Sequence, residues 1–239
     1  MVNNVSLIRN LMKFEKPGDF YFLQILRRRK DNPGLERDMN VLSDHYFHSF
    51  EEFDAAIPAI IKECDENNAR AYFRLNIRNK KKVNLQLIKR ITDLVIDGNR
   101  QGLRRLIERT SLKFDSASED FDFRIIEEAI EAIRKNDVKA FPNTYASIAG
   151  EFHSDPDKKW ILDVDWKDFP EDLIDFYIQK LEALAIELQA QTGREPLLYR
   201  IPTKNGIHYI VRPFNLKIFR DHFPQMDVHK ENPTFLYVP

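Results

Sequence analysis

Two aspartates one residue apart, a histidine two places after a glycine and a third aspartate near the end of the sequence carry its most suggestive chemistry: Asp163, Asp165, His208 and Asp227. Lys159-Trp-Ile-Leu-Asp-Val-Asp-Trp166 alternates as a strand does. Trp160, Leu162, Val164 and Trp166 fall on one side, and Ile161, Asp163 and Asp165 on the other. Two carboxylates on one face of so apolar a strand add nothing to its packing. Their Cα atoms would lie ~6.6 Å apart, and carboxylates ~5 Å apart repel by about 3 kcal/mol at an effective dielectric near 20. A divalent cation between them turns that repulsion into attraction. The plainer reading is a pair of solvated aspartates at a strand end.

The elements that must position these residues follow from the spacing downstream. Asp168-Phe-Pro-Glu opens a helix, with a proline in the first turn and acidic residues near the positive end of its dipole. Leu173, Phe176, Tyr177, Leu181, Leu184 and Leu188 form its apolar stripe, and Gly193 ends it. Short extended runs over 196–202 and 207–213 flank the turn Thr203-Lys-Asn-Gly206. A helix fits 216–223, and a last extended run starts near Met226 and ends at Val238. The order strand, helix, strand, strand, helix, strand is that of the split βαβ or ferredoxin-like unit, whose two helices cover one sheet face and leave the other open.

With those residues placed, the segment resembles the catalytic RRM-like unit of the archaeo-eukaryotic primase superfamily. Ile161-Leu-Asp163-Val-Asp165 is similar to that family's first motif. Gly206-Ile-His208 is similar to its small-x-His motif, and Met226-Asp227 to its closing apolar-Asp. The tail also carries Asp221; Asp227 is chosen because Met226-Asp-Val begins the final strand. The resemblance covers roughly the last 80 residues. It implies a metal-dependent nucleotidyltransferase of primase-polymerase type, with Asp163, Asp165 and Asp227 holding Mg²⁺ or Mn²⁺ and His208 on the incoming nucleotide's phosphates. Lys204 and Arg212 would assist, and Gly206 would allow close backbone approach. The implied partners are a single-stranded DNA or RNA template and nucleoside triphosphates, with a replicative helicase as a further candidate. One departure stands out: Cys64 is the only cysteine, so a Cys-rich zinc site of the kind many cellular primases carry has no ligands here. Two rival readings stay open: a non-catalytic ferredoxin-like module for nucleic acid or protein, and a metal-dependent nuclease or phosphotransferase.

The N-terminal half reads as a helix-rich αβ module, which makes the whole chain α+β, with a basic module over 1–140 and the RRM-like unit over 155–239. Residues 1–113 hold 22 Lys and Arg against 15 Asp and Glu, whereas residues 114–239 hold 15 against 23. That asymmetry suits a basic half on a phosphate backbone and an acidic half on metal, or two halves that dock on each other. Asp19 to Leu26 reads as a buried strand leading into a basic loop, Arg27-Arg28-Arg29-Lys30, that closes at Gly34. Ser49 starts a helix that contains Cys64 as a core residue and is kinked or delayed by Pro58. From Arg70 to Arg78 the sequence alternates again, with Arg70, Tyr72, Arg74, Asn76 and Arg78 on one face. Such a face suits single-strand phosphates, or it is the solvated side of an edge strand. Helical periodicity recurs over 84–96, 102–109 and 123–134. The sequence contains no apolar run of membrane-spanning length, no signal-peptide pattern and no pair of cysteines, which together point to the cytoplasm.

Overall fold

A computed structural model describes residues 1–97, 101–102, 126–127, 130–131, 135, 142–151, 157–231 and 233–239. The helices expected over 102–109 and 123–134 lie largely outside them. The architecture is mixed α+β, with two antiparallel sheets. The chain divides into two compact units, and the division cuts across the boundary between 1–140 and 155–239. One unit holds Met1–Glu15, Phe20–Ile77 and Asp155–Pro239; the other holds Lys16–Asp19 and Arg78–Ser154. Among the described residues no helix is long and apolar enough to cross a membrane.

In the first unit, the C-terminal strands β5 (Trp160–Asp165), β6 (Tyr199–Pro202), β7 (Gly206–Val211) and β8 (Asp227–His229) form a sheet in the order β6-β7-β5-β8. A helix over Ile174–Ala190 connects β5 to β6, and another over Leu216–His222 connects β7 to β8. Each connection skips over one intervening antiparallel strand, which is the arrangement expected of a split βαβ unit. The apolar face expected of β5 is the one the helices cover: Trp160, Leu162 and Val164 pack with Leu181, Ala185, Leu188 and Phe219. Leu173 and Phe176, expected in the helix stripe, are exposed instead. Two 3-10 turns, Trp166–Asp168 and Glu171–Leu173, delay the helix to Ile174, and its inward face is rotated accordingly.

The opposite face of this sheet is not open. Ile161, Ile201 and Ile210 join a second core with Tyr21, Leu23, Phe53, Phe73 and Leu236. That core belongs to a five-stranded sheet, β1-β9-β4-β2-β3, built from β1 (Val2–Asn3), β2 (Asp19–Arg28), β3 (Met39–Phe47), β4 (Arg70–Asn79) and β9 (Thr234–Val238). The final extended run is therefore two strands: β8 stays in the C-terminal sheet, and β9 crosses to pair with β1 and β4. Two asparagines act as clamps between the sheets. Asn4 Nδ2 donates to the carbonyls of Pro202 and Phe235 at 2.9 and 3.0 Å. Asn76 donates to the Lys159 carbonyl at 3.0 Å and accepts its N–H at 2.6 Å, as a neighbouring peptide would. β4 lies inside its sheet, so its polar face is not the solvated side of an edge strand. β2 extends through Arg28, which puts Arg27 and Arg28 on a strand and not in the basic loop.

α1 (Val5–Leu11) and α2 (Phe50–Asn67) contribute Ile8, Phe53, Ile60 and Cys64 to the same core. Ser49 caps α2 by accepting the Glu52 N–H, and the helix runs unbroken past Pro58. In the second unit α3 (Lys80–Ile96) packs against α4 (Pro142–Glu151). The helices of the C-terminal sheet are numbered α5 (Ile174–Ala190) and α6 (Leu216–His222).

Candidate active site

The β-ladder decides which polar residues meet. Asp163 on β5 is the direct partner of His208 on β7 and of Asp227 on β8, so the three form one row across the sheet. Residues directly opposite in a ladder share a face. Asp165 lies two residues further along the same strand and face. This face looks into a pocket of about 500 Å³ within the first unit. Asp163, Asp165, His208 and His229 line one side of it, and Arg28, Arg70, Tyr72 and Arg74 from the five-stranded sheet line the other.

Asp163 is the centre of this arrangement. Its Oδ1 lies 3.3 Å from His208 Nε2 and its Oδ2 lies 3.5 Å from His229 Nε2. Burial pushes the Asp163 carboxyl up, but the hydrogen bonds and charge of the two imidazoles outweigh it and hold the group well below the ordinary carboxylate range. His229 responds in kind: its hydrogen bond to Asp163 raises it above the usual imidazole range, with burial opposing. The two histidines differ in burial. His208 is 5% exposed, its Nδ1 lies 2.8 Å from Thr234 Oγ1, and its ring stacks on Phe235 at 5.3 Å. His229 is half-buried and sits on the short strand β8. Asp165 pairs with the exposed Lys167 at 3.2 Å.

Two carboxylates flanked by imidazoles are donors that Mg²⁺ and, better, Mn²⁺ accept. Among the described residues, however, no three His, Cys, Asp or Glu side chains converge as a metal site would have them. Both Asp163 oxygens face imidazoles, and each keeps a further lone pair for a cation.

Other expected site residues are distributed unevenly. Lys204, in the turn between β6 and β7, lines the same pocket. Asp227 shares the row but is exposed and does not line it. Gly206 pairs with Asp165, and a Cβ there would overlap the Val164 carbonyl oxygen, so strand apposition accounts for this glycine. Arg212 is bound elsewhere, to Asp157 at 2.7 Å and to the Glu195 carbonyl. Arg27 donates to Asn32 Oδ1 at 3.0 Å, and Arg29 is exposed beside the pocket-lining segment without lining it. Arg78, in the second unit, is 2% exposed and donates to the Ala149 carbonyl at 2.5 Å and the Gly150 carbonyl at 3.3 Å. Its guanidinium is engaged by backbone carbonyls and does not line the pocket, so Arg78 leaves the set of candidate nucleic-acid residues. The residues that sequence reasoning undervalued are His229, Thr234, Phe235 and Lys30. The strand period did carry a signal for His229, two places after Asp227 on the same face; Lys30 and Phe235 reach the pocket only through the tertiary fold.

No protein-family model, curated protein or solved structure matches this chain.

Proposed function

We propose that the chain is a metal-dependent nucleotidyltransferase of the primase-polymerase type, using nucleoside triphosphates on a single-stranded nucleic-acid template. The observation that carries this reading is the pair His208–Asp163, opposite each other on adjacent strands of the antiparallel C-terminal sheet, with Asp165 beside them, all three facing a cation-lined pocket. Asp163 and Asp165 would hold the divalent ion, which supplies charge neutralisation and activation of the attacking hydroxyl. His208 acts through Asp163: bonded to Thr234 and stacked on Phe235, it fixes the orientation of one carboxylate oxygen. That makes it a positioning residue. Tyr72, its ring against Phe235, and Arg74, which donates to the Glu231 carbonyl, line the wall opposite the aspartates.

Asp165→Ala is the diagnostic variant, because Asp165 has an exposed lysine as its partner and no buried imidazole depends on it. It should fold normally and lose Mn²⁺- or Mg²⁺-dependent nucleotide incorporation on a primed single-stranded template. Wild-type protein that incorporates no nucleotide with either ion would defeat the proposal. Single-strand binding retained by such protein and by Asp165→Ala would favour a non-catalytic binding module.

A further inference from the structure

We propose that Arg28, Lys30 and Arg70, with Lys204 facing them, form a binding site for a condensed phosphate chain. That the chain is the di- or triphosphate of a nucleotide rests on the reading above; the anion site rests on the pocket itself. All four cations line the same cavity, three from β2, the segment after it and β4, and the fourth from the β6–β7 turn.

Arg70 is the residue that argues for a built site. It is 4% exposed, yet it lines the pocket. One terminal nitrogen pairs with Asp31 Oδ1 at 2.6 Å, and the guanidinium lies over the Phe235 ring at 5.5 Å. Its Nε is buried with no hydrogen-bond partner, a costly condition for a charged donor. Around it the cations crowd one another. Lys30 is lowered below the usual ammonium range, first by burial and then by the charges of Arg70 and Arg28. A polyanion seated among them would relieve that repulsion.

Carboxylates in and beside the pocket offset part of this field, since Asp31 and Asp165 act on Lys30 against the effect of the arginines, but each is already engaged. Asp163 is flanked by two imidazoles, Asp165 is paired with Lys167, and Asp31 with Arg70. Arg28 has a neutral partner, the Tyr72 hydroxyl at 3.4 Å. The shape of the site selects a compact ligand over a polymer backbone. A strand running along the surface would be expected to engage Arg27 and Arg29 as well, and neither lines the cavity. A short chain of linked phosphates instead places several charges within one concave site of ordinary ligand size.

The test uses tripolyphosphate and the full chain in EDTA, followed by calorimetry, so that no metal, template or primer enters. Wild-type protein should bind saturably at one site. Lys30→Gln combined with Lys204→Gln should weaken binding by about tenfold or more, as the loss of two charge-assisted contacts implies. Arg29→Gln should leave it unchanged. Absence of saturable binding, or equal affinity of wild type and the double variant, overturns the proposal. So does a double variant that loses affinity for an oligothymidylate while binding tripolyphosphate as wild type does. Tripolyphosphate binding with this pattern in a protein that incorporates no nucleotide would leave the anion site standing and remove only the transferase reading.

Discussion

Replacing Gly206 with alanine separates two roles for that glycine. A Cβ at this position would overlap the Val164 carbonyl oxygen, and it would sit 2.8 Å from the Val164 carbonyl carbon and 3.1 Å from Asp165 Cα. All three are backbone atoms of the neighbouring strand, so no side-chain rotation relieves the clash; β5 and β7 have to part. Overpacking of a well-filled interior costs ~1–3 kcal/mol, and a clash with fixed backbone belongs at the upper end, about 3 kcal/mol. In a domain of 150–250 residues each kcal/mol moves the melting temperature by ~2–4 °C, which gives a fall of ~6–12 °C. A thermal melt followed by circular dichroism, with wild type alongside, measures it. A variant that melts within ~2 °C of wild type while its affinity for nucleotide falls would refute the packing argument. The glycine would then serve approach of a ligand to the backbone.

Arg78→Leu should destabilise the protein by about 2–5 kcal/mol, because it strips partners from two carbonyls and from a buried site, and should leave tripolyphosphate affinity alone; calorimetry and a melt of the same sample check both. The raised His229 imidazole sets a pH dependence. A group whose folded pKa exceeds its unfolded one stabilises fully below the unfolded value, about 6.5, and loses that contribution as pH rises through the folded value. The melting-temperature gap between wild type and Asp163→Asn should therefore be wider near about pH 5.5 than near about pH 8.5, and an NMR titration should show His229 returning toward its ordinary range in the variant. A gap that widens with rising pH would show that another group sets the balance.

The C-terminal sheet is legible in the sequence because its signals are local: alternation over 160–165, helical spacing after it, and a turn-forming Lys-Asn-Gly before β7. The meeting of Asp163 with His208 is legible because the order of elements makes β5 and β7 neighbours in the sheet, and the alternation along each strand decides which residues share a face. What the sequence hides is the pairing of distant segments. β3 carries Asn40, Ser43, Asp44 and His45 among its apolar residues and blurs the strand period, and β1 is two residues long. The alternation of β4 identifies two faces without revealing that the arginine face is enclosed; distant segments do that, Asp31 against Arg70 and the Lys159 backbone against Asn76. The helix stripe misjudged Leu173 and Phe176 because 3-10 turns ahead of α5 break the helical phase.

The crossing of β9 into the first sheet has a consequence for how the molecule comes to exist. Thr234–Val238 lies between β1 and β4, so residues 2–3 and 70–79 acquire their shared neighbour only after some 160 further residues have been synthesised. Until then β4 presents an unpaired edge with one apolar face, the kind of surface that invites association with other nascent chains. Closure by so remote a segment also raises the loop entropy that must be overcome before the sheet is complete, which places this unit among slow folders. The same strand brings Thr234 and Phe235 against His208. Assembly of the pocket is thus coupled to the last event in folding the sheet: a chain still waiting for β9 has both aspartates on their strand and no wall to hold the histidine beside them.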